Sequence, residues 1–302
     1  MRHPGLLRLA EEEGTLGDPV AAVRQRTRAV AATAMSQGWS GPPWDMELLA
    51  SLQDIRVENT GHLGRGRDAL WTSGRILVSS SAPPTRRRYS IAHEIVHSFL
   101  ASHDEAVDFS VLSPAVRQLA EGELEYLCQM GAADLLMPWE SYSKRMGTGM
   151  PSLVPVLKLA RDFEVSPEAA ARRAVDLAAA RCATLCARPW DGPKSDPTNG
   201  RFRRAMLRVS PRPDDLVVTG YHPSVDFAAV RIAIGEPIPR GFHAHRAFCF
   251  AVIRPTKDNL RRNVSDWPAY PELGAIDMEA VPLPLRKKPI EILAVLRPAT
   301  TA

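Results

Sequence analysis

A segment rich in proline and glycine, residues 189–200, separates two parts of the sequence that differ in pattern. Before it, apolar residues recur mostly at helical spacing. After it, the main apolar runs are short and continuous, as at 247–253 and 290–296, which is typical of buried strands. A chain of 302 residues is also longer than one core usually supports. The sequence therefore predicts an α+β protein with domains at 1–188 and 201–302, joined by this linker.

Capping and turn residues indicate that the N-terminal domain is mainly helical with a small β-sheet. Asp18 followed by Pro19 is a typical helix start, because the carboxylate can accept from the free N–H groups of the first turn. A Ser73-Gly74 turn between two short apolar runs predicts a β-hairpin. Helices are predicted near 19–35, 44–52, 85–102, 122–136, 154–163 and 167–185, and strands near 55–57, 68–72 and 75–78.

The charge pattern disfavours direct nucleic-acid binding. The formal net charge is only +4, and the lysines and arginines form no continuous stripe. The densest basic cluster, 86–88, is typical of a solvated helical face. The helices at 154–163 and 167–185 could form a helix-turn-helix, but the acidic turn between them disfavours contact with phosphates. A DNA-binding regulator is therefore an alternative and not the favoured hypothesis.

Cysteine usage and the first residues favour a cytoplasmic protein. Of the four cysteines, only Cys182 and Cys186 are close in sequence, at helical spacing, and no second pair completes a metal-binding quartet. So few cysteines in a long chain do not form a disulfide scaffold, and we expect reduced thiols. Residues 1–13 lack the apolar centre of a signal peptide, and no run of about 18 apolar residues could span a membrane.

The segment 93–97 has the sequence HEIVH and carries the most specific chemical signal in the chain. Residues four apart share a helix face, so His93 and His97 point the same way and can hold one metal ion at about 2.0–2.1 Å. Glu94 is offset around the helix, where its carboxylate can act on water without binding the ion. Metallopeptidases use this arrangement, which predicts Zn²⁺ as the cofactor, with Mn²⁺ as an alternative.

Two other interpretations of this segment remain open. One is a core helix with two incidental histidines, since apolar residues surround them. The other is a metal-binding sensor that has no catalytic activity. Glu94 argues against the sensor, because holding a metal ion does not require this carboxylate. We therefore favour a metalloendopeptidase, with Glu94 as the general base that takes a proton from the attacking water.

A catalytic zinc site needs a third protein ligand, because two histidines leave its coordination incomplete. The next predicted helix offers Glu121, Glu123 and Glu125. Glu123 and Glu125 lie on nearly opposite faces of that helix, so at most one of these two binds the ion. Glu125 shares its face with small or polar residues, which would let the two helices pack closely. Spacing thus favours Glu125, while a solvated helix start remains the alternative.

Two segments at this separation resemble the motifs of ImmA/IrrE-type metallopeptidases. The first is 88–97, with the sequence RYSIAHEIVH, and the second is 125–138, which contains EYLCQ and ends in AADLLMP. The resemblance extends over about 15–185. It implies that Glu125 is the third ligand beside the two histidines. It also implies a compact domain of helices around a small sheet.

The sequence departs from the family pattern at two positions in the second segment. Gln129 stands where asparagine is usual, and Gly131 stands where phenylalanine is frequent. Neither residue is a ligand, so the departures concern local packing.

The resemblance further implies a role and a partner. Members of the family cleave a helix-turn-helix transcriptional repressor and thereby release genes for stress responses or mobile elements. Some members carry a GAF-like sensor domain after the peptidase domain, which would suit the β-rich region from 201 to 302. His222, His243 and His245 could bind a ligand there, although scattered surface histidines are the simpler interpretation.

Overall fold

A computed structural model describes most of the N-terminal part and several strands of the C-terminal part. The described residues are 4–15, 18–61, 63, 64, 67–72, 74–100, 114–147, 149–190, 212, 215–227, 231–239, 244, 263–266, 275–283 and 291–298. Contacts divide the chain into unit 1 (Met1–Tyr142 with Asp162–Val165) and unit 2 (Ser143–Arg161 with Ser166–Ala302). The expected linker at 189–200 lies almost wholly outside the described residues, so the domain division at that place remains a prediction.

The described part of unit 1 is a set of helices around a three-stranded sheet. The helices are α1 (Pro4–Glu12), α2 (Pro19–Ser36), α3 (Met46–Ser51), α4 (Pro84–Leu100) and α5 (Pro114–Leu136), and α6 (Trp139–Met146) begins in this unit. The strands are β1 (Arg56–Thr60), β2 (Ala69–Thr72) and β3 (Arg75–Ser79), in the order β1-β3-β2. Because β1 is parallel to β3 and β2 is antiparallel to it, β2 is an edge strand among the described strands.

Local sequence explains several of these boundaries. Asp18 caps α2 by accepting a hydrogen bond from the N–H of Ala21 at 2.9 Å, and Pro19 is the first helical residue. Asp45 caps α3 in the same way. The expected hairpin is confirmed as β2 and β3, and Gly74 occupies its turn with a φ of 80°, a conformation that favours glycine.

Helix α4 buries one face and leaves the other face only partly covered. The buried side chains follow helical spacing and are Ser90, Ile91, Ala92, Ile95, Val96, Phe99 and Leu100. His93, Glu94 and His97 lie outside this set and are partly exposed. Burial of the apolar face fixes the rotation of the helix, and that rotation presents the three polar side chains together.

Gly131 explains how α5 packs closely against α2 and α4. A Cβ atom at this position would lie 2.8 Å from a methyl carbon of Val23 and 2.9 Å from two methyl carbons of Val96. Such distances are too short for carbon atoms, so a larger side chain would force the helices apart. The departure from the family pattern at Gly131 therefore accompanies a tight helix contact, which lies six residues after Glu125.

The described part of unit 2 combines two helices with an antiparallel sheet. It contains α7 (Leu153–Asp162), α8 (Pro167–Leu177), β4 (Ala183–Pro189), β5 (Leu216–Pro223), β6 (Asn263–Asp266), β7 (Ala275–Leu283) and β8 (Glu291–Pro298), with a short 3₁₀ helix at Val225–Phe227. The strand order is β5-β4-β8-β7-β6, and each pair of neighbours is antiparallel. With the helices and small sheet of unit 1, this confirms the α+β class.

The predicted helix at 167–185 is wrong in its second half. Helix α8 ends at Leu177, and the residues from Ala183 form strand β4, which lies between β5 and β8 in the sheet. Cys182 and Cys186 are therefore not neighbours on a helix face. The alanine-rich sequence favours a helix by propensity, but β4 pairs with a strand on each side and is buried on both faces. Tertiary pairing overrides a weak local preference here.

Other expectations for the C-terminal part have different outcomes. The strand expected at 290–296 is confirmed as β8, whereas the one expected at 247–253 lies outside the described residues. The likeness to a GAF domain remains a prediction.

Cys128, Cys182 and Cys186 are free and buried, as expected for reduced thiols. Among the described helices, none combines the length and apolar character that crossing a membrane requires.

Candidate metal centre

His93 and His97 lie one turn apart on α4 with their ring nitrogens facing each other. The two Nε2 atoms are 3.1 Å apart, and the ring centroids are 4.7 Å apart with the planes inclined at 73°. This separation suits two nitrogens that share one metal ion. The structure therefore confirms the geometric part of the sequence argument, namely that spacing of four residues brings both imidazoles together.

Glu125 reaches the histidine pair from α5. One carboxylate oxygen lies 3.4 Å from Nε2 of His93, and the other lies 3.3 Å from Nε2 of His97. Within the described part of the chain, these three residues are the group of histidine, cysteine and carboxylate side chains arranged to hold a metal ion. Glu121 and Glu123 are not in the group. Of the three glutamates that the sequence offered, Glu125 is therefore the one that lies beside the histidines.

The candidate ligand atoms have separations close to those found around a zinc ion. Two ligands at 2.0–2.1 Å from a tetrahedral zinc ion are ~3.3–3.4 Å apart, close to the separations between Glu125 and the two imidazoles. Two imidazoles with one carboxylate are also a donor set that catalytic zinc sites use, leaving one position open. The residues present thus fit Zn²⁺, and nitrogen and oxygen donors also accept Mn²⁺.

Burial favours the neutral form of His93. Burial chiefly, and the neighbouring His97 in addition, lowers the pKa of His93, and these effects outweigh the opposite influence of Glu125. A neutral imidazole has a free lone pair, which metal binding requires.

Glu94 lies beside the cluster without belonging to it. Its Oε2 atom accepts a hydrogen bond from the backbone N–H of Trp71 at 2.8 Å, which holds the carboxylate next to β2. Burial raises the pKa of Glu94, although His97, the Trp71 bond and Arg67 act in the opposite direction. A raised pKa makes the carboxylate a stronger base, so both the position and the basicity of Glu94 suit proton transfer.

His93, Glu94, His97 and Glu125 all line one cavity of about 770 Å³. Its walls come from α4, α5 and the residues of β2, and they include Arg67, Asp68, Trp71, Arg86, Tyr89, Leu124 and Gln129. Arg86 donates to Asp68 at 2.6 Å and so fixes the wall beside the start of β2. The cavity is open to a ligand of substantial size, as binding pockets of this volume generally are.

The sequence argument missed the contribution of β2 to this centre. Trp71 acts through a backbone N–H, and every residue except proline has such a group, so no residue type marks this role. The hairpin just before the metal helix was the available signal, because short connections usually place consecutive elements side by side.

Of the three histidines expected as alternatives in the C-terminal part, the structure describes His222. His222 bonds to Asp176 at 2.6 Å within unit 2, and His243 and His245 lie outside the described residues. The alternative of a helix-turn-helix would need exposed, free arginines on α8. Arg172 bonds to Glu168 at 2.6 Å, and Arg173 is only 3% exposed, so neither supports the DNA-binding alternative.

Residues 53–175 match the family model of the IrrE N-terminal-like domain. This range contains the sheet of unit 1, the two histidines and Glu125. Residues 53–175 are therefore similar to this domain, in agreement with the resemblance of their motifs to ImmA/IrrE-type metallopeptidases.

Two curated relatives are radiation response metalloproteases IrrE. The one from Deinococcus deserti is 34% identical over 95 residues, which are 32% of this chain and 34% of that protein. The one from Deinococcus radiodurans is 33% identical over 100 residues, which are 32% of this chain and 29% of that protein. The chain thus spans about a third of the length of these relatives.

A solved structure of a Mycobacterium tuberculosis transcriptional regulator has a similar fold. The similarity has a TM-score of 0.53 and covers 99% of this chain and 82% of that chain. Sequence identity is 13%, so the likeness concerns the fold alone.

Proposed function

We propose that unit 1 is a metal-dependent endopeptidase that hydrolyses peptide bonds in the cavity beside α4. The observation that carries this proposal is the convergence of His93, His97 and Glu125, with Glu94 held next to them but outside the ligand group. A core helix with incidental histidines would give no reason for a glutamate from another helix to meet both rings. A bound Zn²⁺ would supply the Lewis acidity that polarises a carbonyl group and acidifies water.

Glu94 performs the proton transfers in this proposal. Its carboxylate takes a proton from the water that attacks the peptide carbonyl carbon, and later gives it to the nitrogen of the departing amine. The bond from Trp71 N–H occupies Oε2 and leaves Oε1 for the water, so the carboxylate keeps one orientation throughout. A metal-binding sensor would not need this carboxylate, which supports catalysis over the silent alternative.

The proposed substrate is a helix-turn-helix transcriptional repressor, whose cleavage would release stress-response genes. Two observations support this choice: the family of residues 53–175, and the relatives named as radiation response metalloproteases. A repressor acts in the compartment that contains DNA, so the proposal places the reaction in the cytoplasm.

The experiment starts from the gene next to this one. A neighbouring open reading frame for a small helix-turn-helix protein would nominate the substrate, and both proteins would be purified and incubated with Zn²⁺ or Mn²⁺. We expect one or two defined fragments, which sequencing would locate, and no fragments with a chelator present. If the candidate repressors stay intact with every metal, the proposed substrate is wrong.

A further inference from the structure

The charged side chains around the candidate metal centre differ in whether another charge compensates them. Within the described part of the chain, those that line the cavity are Arg67, Asp68, Arg86, Glu94 and Glu125. Arg86 and Asp68 compensate each other, because their side chains form an ion pair at 2.6 Å. The two glutamates together balance one divalent cation at the candidate metal centre. With that cation in place, the charge that remains in the cavity is the positive charge of Arg67.

Arg67 is positioned to meet a ligand and not to stabilise the fold. Its side chain is exposed, and among the described residues no hydrogen-bond or salt-bridge partner holds it. It nevertheless lies close to the proposed general base: burial raises the pKa of Glu94, and the charge of Arg67 acts to lower it. Glu94 itself is engaged by the backbone N–H of Trp71. The guanidinium of Arg67 thus lines the cavity beside the candidate catalytic groups without a carboxylate of its own.

The chemistry of the guanidinium group defines what this position can recognise. Its planar fork of N–H donors fits both oxygens of a carboxylate, and hydrogen bonds between charged groups are stronger than those between neutral ones. A cavity with one uncompensated positive charge also favours an anionic ligand over a cationic one. We propose that Arg67 determines substrate specificity by binding an acidic side chain, aspartate or glutamate, near the cleaved peptide bond. This proposal rests on the proposed peptidase function.

The size of the cavity limits how far the acidic residue lies from the cleaved bond. A cavity of about 770 Å³ is about 9 Å across, the cube root of that volume, if it is equally wide in every direction, and about three extended residues span this width. The expected substrate segment therefore carries aspartate or glutamate within about two residues of the bond that is cut. A segment with only neutral or basic side chains there is a poor substrate.

The first test uses small probes that the metal ion holds in the cavity, so it does not depend on the natural substrate. The probes are the monohydroxamates of succinic, glutaric and adipic acid, each paired with the corresponding primary amide. The hydroxamate group chelates zinc, and the far end carries either a carboxylate or a neutral amide. Calorimetry with the full-length, zinc-loaded chain measures both affinities. For at least one pair, we expect the carboxylate to bind about fivefold more tightly than the amide at low ionic strength.

Substitutions at Arg67 distinguish its own charge from the net charge of the chain. Arg67→Gln should bring the two affinities within about twofold of each other, whereas Arg67→Lys should keep part of the preference because it keeps the charge. Arg75→Gln is the matched control, since Arg75 pairs with Glu58 at 3.6 Å and is not among the described residues that line the cavity. This variant loses the same net charge and should retain the full preference.

Zinc content and thermal unfolding show whether each variant keeps its metal centre and its fold. Equal affinities within every pair for the parental chain, or an unchanged preference in folded, zinc-loaded Arg67→Gln, would overturn the proposal. A zinc-loaded parental chain that binds no hydroxamate would overturn it as well, because the cavity then admits no ligand to the ion. A preference that disappears equally in Arg75→Gln would show that net charge, and not Arg67, is responsible.

The second test uses the repressor that the chain cleaves. Replacing the acidic residue nearest the cleaved bond by its amide should raise KM about fivefold with little change in kcat, because the lost contact is the same before and during the reaction. The same replacement should have no effect on cleavage by Arg67→Gln. A cleaved bond without an acidic residue within about two positions on either side would contradict the proposal.

The two proposals fail in different ways. A chain that prefers the carboxylate probes through Arg67, yet cleaves no repressor with any metal, contradicts the peptidase and keeps the anionic subsite. A chain that cleaves a repressor but shows the same affinity for carboxylate and amide probes contradicts the anionic subsite and keeps the peptidase.

Discussion

Each unit contains a cluster of ionisable side chains. The clusters differ in whether every hydrogen-bonding group meets a partner of the opposite kind, a donor with an acceptor, which we call a matched cluster. In unit 2, Glu279 accepts from Arg297 at 2.6 Å and from the backbone N–H of Leu153 and the hydroxyl of Ser152 at 2.9 Å. Arg297 also donates to the carbonyl of Pro151 at 3.0 Å. Each charge meets an opposite charge or a dipole, and Glu279 and Arg297 are only 3% and 4% exposed.

In unit 1, by contrast, the atoms that converge are nearly all electron-pair donors. Two imidazole nitrogens and two carboxylate oxygens lie within about one zinc coordination sphere of one another. The cluster is also partly exposed and lines a cavity. In a matched cluster, removal of one member leaves the other charge uncompensated, whereas a surplus of lone pairs facing a cavity is an arrangement that a cation completes.

The pKa values of the two central glutamates follow the same contrast. Burial raises the pKa of Glu94, and the opposite influence of His97, Trp71 and Arg67 does not outweigh it. Burial also acts to raise the pKa of Glu279, but the hydrogen bonds from Leu153 and Arg297 outweigh it, and the pKa is lowered. One carboxylate is thus a better base than usual, and the other is held in its charged form.

The largest expected effect is on catalysis. Glu94→Gln should lower cleavage of the identified repressor by about 10²–10⁴-fold, because the amide cannot accept the proton. Zinc content and thermal unfolding should stay at the parental values, since Glu94 is outside the ligand group. Glu123→Gln, on α5 but outside the cluster, is the matched control and should cleave normally. Undiminished cleavage by Glu94→Gln would remove Glu94 from the mechanism.

A substitution in the matched cluster of unit 2 should lower the free energy of unfolding and leave zinc binding unchanged. Glu279→Ala leaves Arg297 buried with its main partner removed, which should lower the free energy of unfolding by about 3–5 kcal/mol. Denaturant unfolding measures this change, and zinc content measured on the folded protein should be unaltered. A fully stable Glu279→Ala variant would show that the contrast between the clusters is incorrect.

A smaller effect should follow from removing one hydrogen bond to Glu94. Trp71→Pro deletes the N–H that holds the carboxylate, and we expect kcat to fall by about 10- to 100-fold, as for a bond to a charged group. Trp71→Ala keeps the N–H and removes only the indole, so it serves as the control for side-chain effects. If both variants lose the same activity, the indole and not the backbone bond is responsible.

The smallest effect is on the pH dependence of stability. The folded-state pKa of Glu279 lies below its ordinary value of 4.5, so its contribution is complete above that value and is lost as the pH falls through the folded pKa. The midpoint temperature of thermal unfolding of the parental chain should therefore fall as the pH decreases through this acidic range. Glu279→Gln should show a shallower decrease over the same range. An identical pH profile would mean that this carboxylate does not contribute.

Sequence alone predicted the parts of the centre that depend on local spacing. His93 and His97 followed from helical periodicity, and the resemblance added Glu125 through a motif at a fixed distance. The structure brings these three residues together as expected. The hairpin and the starts of α2 and α4 were also predictable, since capping and turn residues act locally.

Features that depend on tertiary contacts could not be predicted. Strand β4 has a helix-like composition, and only its two neighbouring strands make it extended. Helix α5 begins at Pro114, well before the expected start near 122, and α1 was not predicted. The role of Trp71 is a backbone contact made across the space between a strand and a helix, which leaves no mark on residue identity.

The central claim is that the lone pairs of unit 1 converge on a metal ion, and zinc stoichiometry tests it most directly. The parental chain and the control Glu123→Ala, dialysed against trace zinc and measured by mass spectrometry, should each retain about one zinc per chain. Glu125→Ala, which removes one of the three ligands, should lose most of its zinc while remaining folded. A parental chain that binds no zinc or manganese, or a Glu125→Ala variant with full zinc content, would contradict the account.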